Sequence, residues 1–211
     1  MDIVIESITT PGMGVNCYLL TCGQTKKAIL IDPGAGSKMI QNWLKEKDQE
    51  IIYILLTHGH YDHIGSVEYL RNELQVQVAI HKDDAEMLTN PAKNLSSFLG
   101  KDVKLSPAEI LLDDNQELKV GEITLKVIHT PGHTPGGICI LTDDGLISGD
   151  TLFNGSVGRT DFPGGDMQKL ISSIQNRLMD LPDETVVYPG HESRTTIGRE
   201  RSSNPFINGT I

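Results

Sequence analysis

The sequence predicts an α/β (α+β) fold in which two β-sheets pack face to face and helices cover both outer surfaces. Two observations predict it. Strand-like segments gather in two halves of the 211-residue chain, each followed by segments of helical periodicity. The central strands are short apolar runs, the pattern of strands covered on both faces. No linker rich in Pro, Gly or Ser divides residues 1–211, so one domain is expected.

Residues 3–9, 15–22 and 27–32 read as strands, the last ending in the turn signal Asp32-Pro33-Gly34. Ser37 is expected to cap a helix on which Ile40, Trp43 and Leu44 share a face. The run Ile-Ile-Tyr-Ile-Leu-Leu at 51–56 reads as a strand buried on both faces. A second helix takes Ile64, Val67, Leu70 and Leu74, and 76–80 is another short buried strand. Residues 83–115 are irregular, broken at Asn90-Pro91 and Ser106-Pro107, and are expected to cover the entrance to a site. In the second half, 122–128, 137–142 and 146–148 read as strands, with a turn at Asp143-Asp144-Gly145. Ile171, Ile174, Leu178 and Leu181 mark a helix over 166–181; 185–188 is a last strand, and a C-terminal helix is expected from near Glu192.

Composition narrows the function classes. The hydrophobic fraction is 38%, the charged fraction 22% and the net charge −10. A phosphate backbone needs basic surface, so nucleic acid is disfavoured as a partner. No segment approaches the roughly 20 apolar residues of a membrane span. The start has no basic region followed by an apolar one, so a cytoplasmic location is expected. Cys17, Cys22 and Cys139 form no CxxC pair and read as small core residues.

The chemistry gathers at strand ends. Directly after the apolar run comes Thr57-His58-Gly59-His60-Tyr61-Asp62-His63, three imidazoles and a carboxylate in one tight segment. His133, Asp150 and His191 each follow another apolar run, each beside a glycine. Imidazole and carboxylate are ligand types that zinc takes. His129 reads as a donor to a ligand or as structural, and His81 as structural. Arg159 reads as a contact for an anionic substrate or as a brace bonded to a nearby acid.

In order, His-x-His-x-Asp-His followed by His, Asp and His resembles the metallo-β-lactamase superfamily over nearly the whole chain. The resemblance implies a four-layer αββα sandwich with two divalent metal ions at one edge, zinc first, with iron or manganese as alternatives. It implies that His58, His60 and His133 hold one ion, that Asp62, His63 and His191 hold the other, and that Asp150 bridges them. A hydroxide shared by the ions would be the nucleophile, with Asp62 orienting it and passing on its proton. Arg159 is a substrate-binding candidate.

The segments Gly149-Asp150-Thr151-Leu152-Phe153, Gly158-Arg159-Thr160-Asp161, Pro189-Gly190-His191, Thr195-Thr196-Ile197-Gly198-x-Glu200 and Asn204-Pro205-Phe206-Ile207 are similar to the short bacterial glyoxalase II-like (hydroxyacylglutathione hydrolase-like) enzymes. That likeness implies hydrolysis of a small-molecule thioester, S-lactoylglutathione or a relative. The helical domain that larger members use for glutathione is expected to be absent. Two other readings stay open: a mononuclear-iron persulfide dioxygenase of the same superfamily, and a non-catalytic metal-binding scaffold.

Overall fold

A computed structural model describes residues 3–209. The first sheet holds β1 (Ile3–Thr9), β2 (Asn16–Cys22), β3 (Lys27–Ile31), β4 (Glu50–Leu55), β5 (Gln77–His81) and β6 (Ile110–Leu112), in that spatial order. The first three strands run antiparallel; from β3 to β6 the pairing is parallel. Then come β7 (Glu117–Val120), β8 (Ile123–His129), β9 (Ile138–Thr142) and β10 (Gly145–Gly149), a small hairpin of β11 (Leu152–Phe153) and β12 (Ser156–Val157), and finally β13 (Val186–Pro189) and β14 (Thr195–Thr196). The second sheet has the order β14-β13-β10-β9-β8-β7. The helices are α1 (Ser37–Lys45), α2 (Tyr61–Ile64), α3 (Val67–Leu74), α4 (Met167–Arg177) and α5 (Ile197–Ser203).

Strand periodicity sorts the apolar residues into layers. Ile29 and Ile31 of β3 join Leu55, Val127, Ile138, Ile140 and Ile147 in one cluster between the sheets. Leu30, between them in sequence, points the other way, with Ile54, Val78 and Ile80, onto Ile40, Ile64, Val67 and Leu70 of the helices. On the far side, Ile128, Cys139, Leu146 and Val187 meet Leu170, Ile174 and Ile197. The result is the αββα layering expected from the sequence. All three cysteines are buried and free. No helix among the described residues is long and apolar enough to cross a membrane.

Several local expectations need correction. Helix α1 is preceded by Gly36 with φ 88°, and Ser37 is its first residue, not a side-chain cap. The helix expected through Ile64–Leu74 is broken into α2 and α3 at Gly65 and Ser66, where Ser66 N–H donates to the Pro33 carbonyl at 2.9 Å. In β4 only the last residues are fully buried; Ile51–Tyr53 enter from a rim where the neighbours Lys27 and Gln77 are exposed. The C-terminal helix starts at Ile197, after β14, with the Thr196 hydroxyl accepting from Arg199 N–H. Likewise α4 starts at Met167, capped by Asp166. Strands β6, β7, β11, β12 and β14, of two to four residues each, are too short to show as patterns.

Candidate metal centre

The ends of β4, β8, β10 and β13 lie at one edge of the sandwich and bring all seven predicted residues together. The histidines His58, His60 and His133 have ring centroids 4.6–4.8 Å apart. His60 Nδ1 lies 2.9 Å from His133 Nε2. Next to them His63 Nε2 lies 3.3 Å from His191 Nε2, and Asp62 Oδ2 lies 3.5 Å from His191 Nε2. Between the two groups stands Asp150. Its Oδ1 is 3.3 Å from His63 Nε2, and its Oδ2 is 3.5 Å from His191 Nε2 and 3.6 Å from His133 Nε2.

Glycines permit this crowding. A β-carbon at Gly190 would run into Asp150 Oδ1 and come within 2.8 Å of His63 Cε1. Gly149, at φ 49°, turns β10 so that Asp150 faces inward, a backbone state that disfavours a β-carbon.

The donor set fits what a metal needs. His58 Nε2, His60 Nε2 and Asp150 Oδ1 are buried without a hydrogen-bond partner. Buried polar atoms are normally satisfied, so such orphans point to a missing partner. The ligand atoms of His58, His60 and His133 fall within 4.8 Å of one another, as do those of Asp62, His63 and His191. Nitrogen and oxygen donors converging in two neighbouring sets fit divalent ions.

The protein's own charges divide the cluster. Burial, and then the neighbouring His63, hold His58 well below the usual imidazole range; burial and His133 hold His60 down to about 3. Burial would also lower His63, but Asp150, Asp62 and Asp32 push it well above. His191 resists its burial through bonds to Asp150 and Asp62 and rises to about 9. Burial works to raise Asp150 and Asp62, yet the facing imidazoles, His63 first, draw both down.

Two residues that hold the cluster are not among the sequence candidates. Asp32 reads there only as part of a turn. Its Oδ2 accepts from His63 Nδ1 at 2.9 Å and from the Thr57 hydroxyl at 2.6 Å, and its Oδ1 from Thr57 N–H at 2.8 Å. These bonds leave it to orient His63, not to bind an ion itself, although it lies within ligand range of His58 and His63. Its position, a strand-end acid beside Pro-Gly, carries the same signal as Asp150. Asp84, fully buried, accepts from Gly59 N–H at 3.1 Å, Thr134 Oγ1 at 2.7 Å and Gly136 N–H at 2.6 Å. It joins the first motif to the loop of His133. Burial pushes its carboxyl up against these donors.

The remaining candidates lie around the cluster. His133 Nδ1 donates to the Arg159 carbonyl at 2.7 Å. The Arg159 side chain is exposed and doubly bonded to Asp161, at 2.7 and 2.6 Å. His81 and His129 stack at 4.0 Å and 16°, and His129 Nε2 donates to the Pro135 carbonyl. With Asp83 they form a third group of possible ligands. Near-parallel rings do not aim their lone pairs at one point, so this pair reads as a structural clasp. Tyr61 borders a cavity of about 800 Å³ above the centre, which Leu95, Phe98 and Leu99 of the irregular segment help to close.

This fold and paired cluster define a metallohydrolase-type centre. The profile of the metallo-beta-lactamase superfamily matches residues 10–191, and the chain belongs to that superfamily. It is 37% identical over 197 residues to the probable metallo-hydrolase YqgX of Bacillus subtilis, covering 92% of each. It is 36% identical over 212 residues to hydroxyacylglutathione hydrolase GloC of Haemophilus influenzae, covering 97% of this chain and 98% of that protein. Among solved structures it is similar to the B3 metallo-beta-lactamase BLEG-1 (39% identity, TM-score 0.93, 98% and 100% covered). It is similar too to TTHA1623 in a di-iron-bound form (35%, 0.85, 95% and 99%) and to ETHE1 from Myxococcus xanthus (29%, 0.83, 98% and 85%).

Proposed function

We propose that this chain is a dinuclear-metal hydrolase of the glyoxalase II type, acting on S-lactoylglutathione or a related thioester. The observation that carries this reading is the pair of convergent donor sets on either side of Asp150, with buried atoms of His58, His60 and Asp150 left without a hydrogen-bond partner. The likeness to a hydroxyacylglutathione hydrolase over nearly the full length supports the substrate class. His58, His60 and His133 would hold one ion, Asp62, His63 and His191 the second, with Asp150 between; zinc suits the donors, and the di-iron relative keeps iron in view. The reading takes residues 1–211 as one unit in the cytoplasm, with a small-molecule partner and no part for nucleic acid or membrane.

Divalent ions bound there would supply Lewis-acid polarisation of the carbonyl and an acidified water. The chain's own residues do the rest. In the hydrolysis, water oxygen bonds to the thioester carbon, the C–S bond breaks, and one proton must leave the water. Asp62 borders the cavity, so its carboxylate can take that proton and return it to the departing thiolate. A thiol, with a pKa of ~8.5, leaves with little help. Phe153 and Phe162 line the cavity beside the centre, each 6.1 Å from a histidine of the cluster.

The test is elemental analysis of protein purified without added metal, followed by a thioester assay. About two ions per chain and hydrolysis of S-lactoylglutathione or another thioester are expected. One iron per chain, with oxygen uptake on glutathione persulfide, would overturn the hydrolase reading. A second expectation concerns Asp32. Asp32→Ala should weaken metal binding roughly 10–100-fold in a chelator competition, because His63 loses the bond that fixes its tautomer. Unchanged affinity would refute that orienting role.

A further inference from the structure

The three most exposed large apolar side chains among the described residues, Phe98 (69%), Met13 (59%) and Leu99 (54%), all line the cavity above the metal centre. Scattered apolar residues on a surface need no explanation, but a cluster at the mouth of a site marks a place where something apolar binds.

The turn that presents two of them is built for the purpose. The 3₁₀ turn Ser96–Leu99 sits between Leu95 and Gly100, with φ 71° and 66°. A left-handed leucine is unfavourable and persists only where its surroundings enforce it. Here the enforcement is visible. Buried Asn94 donates to the carbonyls of Met87 and Val103 at 2.9 and 2.8 Å, and its side-chain oxygen accepts from Ser96 N–H at 3.0 Å. Ser96 Oγ accepts from Val103 N–H at 3.0 Å. Tyr61 N–H donates to the Asn94 carbonyl at 2.9 Å, tying the turn to the segment of His60 and Asp62. A rigid, strained turn fastened to the ligand segment holds two large apolar side chains in water.

The same wall offers little to an anion. Arg159 is the only lysine or arginine among the described residues lining the cavity, and its guanidinium is doubly bonded to Asp161 and lies 4.0 Å over the Phe162 ring. Glu192 adds a further carboxylate to the wall. The remote carboxylates of a glutathione-type thiol find no free cation here.

Resting on the reading that the centre hydrolyses thioesters, we infer that its preferred substrate carries an extended apolar arm. That arm packs on Met13, Phe98 and Leu99 and selects the substrate in place of charge pairing with a glutathione-type anion. It belongs to either the acyl group or the thiol.

Matched probes distinguish the two sources: acetyl and octanoyl thioesters of N-acetylcysteamine for the acyl arm, and lactoyl thioesters of N-acetylcysteamine and 2-phenylethanethiol for the thiol arm, with S-lactoylglutathione alongside. In at least one pair the apolar member is expected to show a kcat/KM at least about tenfold above its short partner and above S-lactoylglutathione, and Phe98→Ala should cut that ratio about tenfold. Ratios below about tenfold in both pairs, a preference for S-lactoylglutathione, or a ratio untouched by Phe98→Ala overturns the apolar arm and leaves the hydrolase reading standing. Failure to cleave any thioester sinks the hydrolase reading instead. In that event, calorimetric binding of the corresponding amides decides the arm: tighter binding of an apolar member that Phe98→Ala abolishes supports it, and equal binding of long and short members overturns it.

Discussion

Asp150→Ala is expected to lower the metal content from about two ions per chain to below one, and kcat/KM by at least about 10³-fold. The size follows from where the carboxylate stands. Its two oxygens face His63, His191 and His133, members of both donor sets. Asp32 also lies within ligand range of a histidine from each set, but its oxygens are taken by His63 Nδ1 and Thr57, which leaves Asp150 as the carboxylate that can join the two sets. The substitution should spare the fold, because the carboxylate faces the cluster's own imidazoles and no element of the core. Elemental analysis, steady-state kinetics and a thermal melt on the same preparation separate these effects. One tightly held ion with full activity would refute the bridging role.

Asp84→Ala should be the most destabilising single change near the site, by roughly 3–5 kcal/mol. Three donors lose their acceptor at once in a fully buried position: two backbone N–H groups and one hydroxyl. A lower urea midpoint at unchanged slope would report it. Activity should fall as well, because Gly59 and Gly136 flank His58, His60 and His133, and a shift of about 1 Å in a reacting geometry can cost 10²-fold. A loss below about 1 kcal/mol would show that water replaces the carboxylate.

Much of this arrangement is legible in the sequence, and the reason is physical. Alternation in β3 and β8 assigns Ile29 and Leu30, or Val127 and Ile128, to opposite faces, so the layers follow from the pattern. The seven clustered residues announce themselves because ligand chemistry needs His and Asp, and each stands where an apolar strand ends. Asp84 carries no such mark. Its partners lie 25 to 52 residues away and become visible only when β5, β4 and the His133 loop meet. Asp32 shows the opposite failure: the signal is present, but Asp-Pro-Gly reads first as a turn. The break between α2 and α3 is hidden because Ile64, Val67 and Leu70 keep helical spacing across it.

Residues 15–18 and 189–191 meet beside the metal centre. Val15 bridges to His191, Asn16 N–H donates to the Gly190 carbonyl at 2.7 Å, and Asn16 Nδ2 and the Tyr18 hydroxyl donate to the Pro189 carbonyl at 3.1 and 2.6 Å. The start of β2, next to the edge strand of the first sheet, therefore anchors the loop of the last histidine, across more than 170 residues. On the ribosome, the front of the chain waits with this docking edge unoccupied until residues 189–191 have emerged. Contacts of such long range form late and slowly. A metal site that needs His191 is therefore complete only after the sandwich has closed.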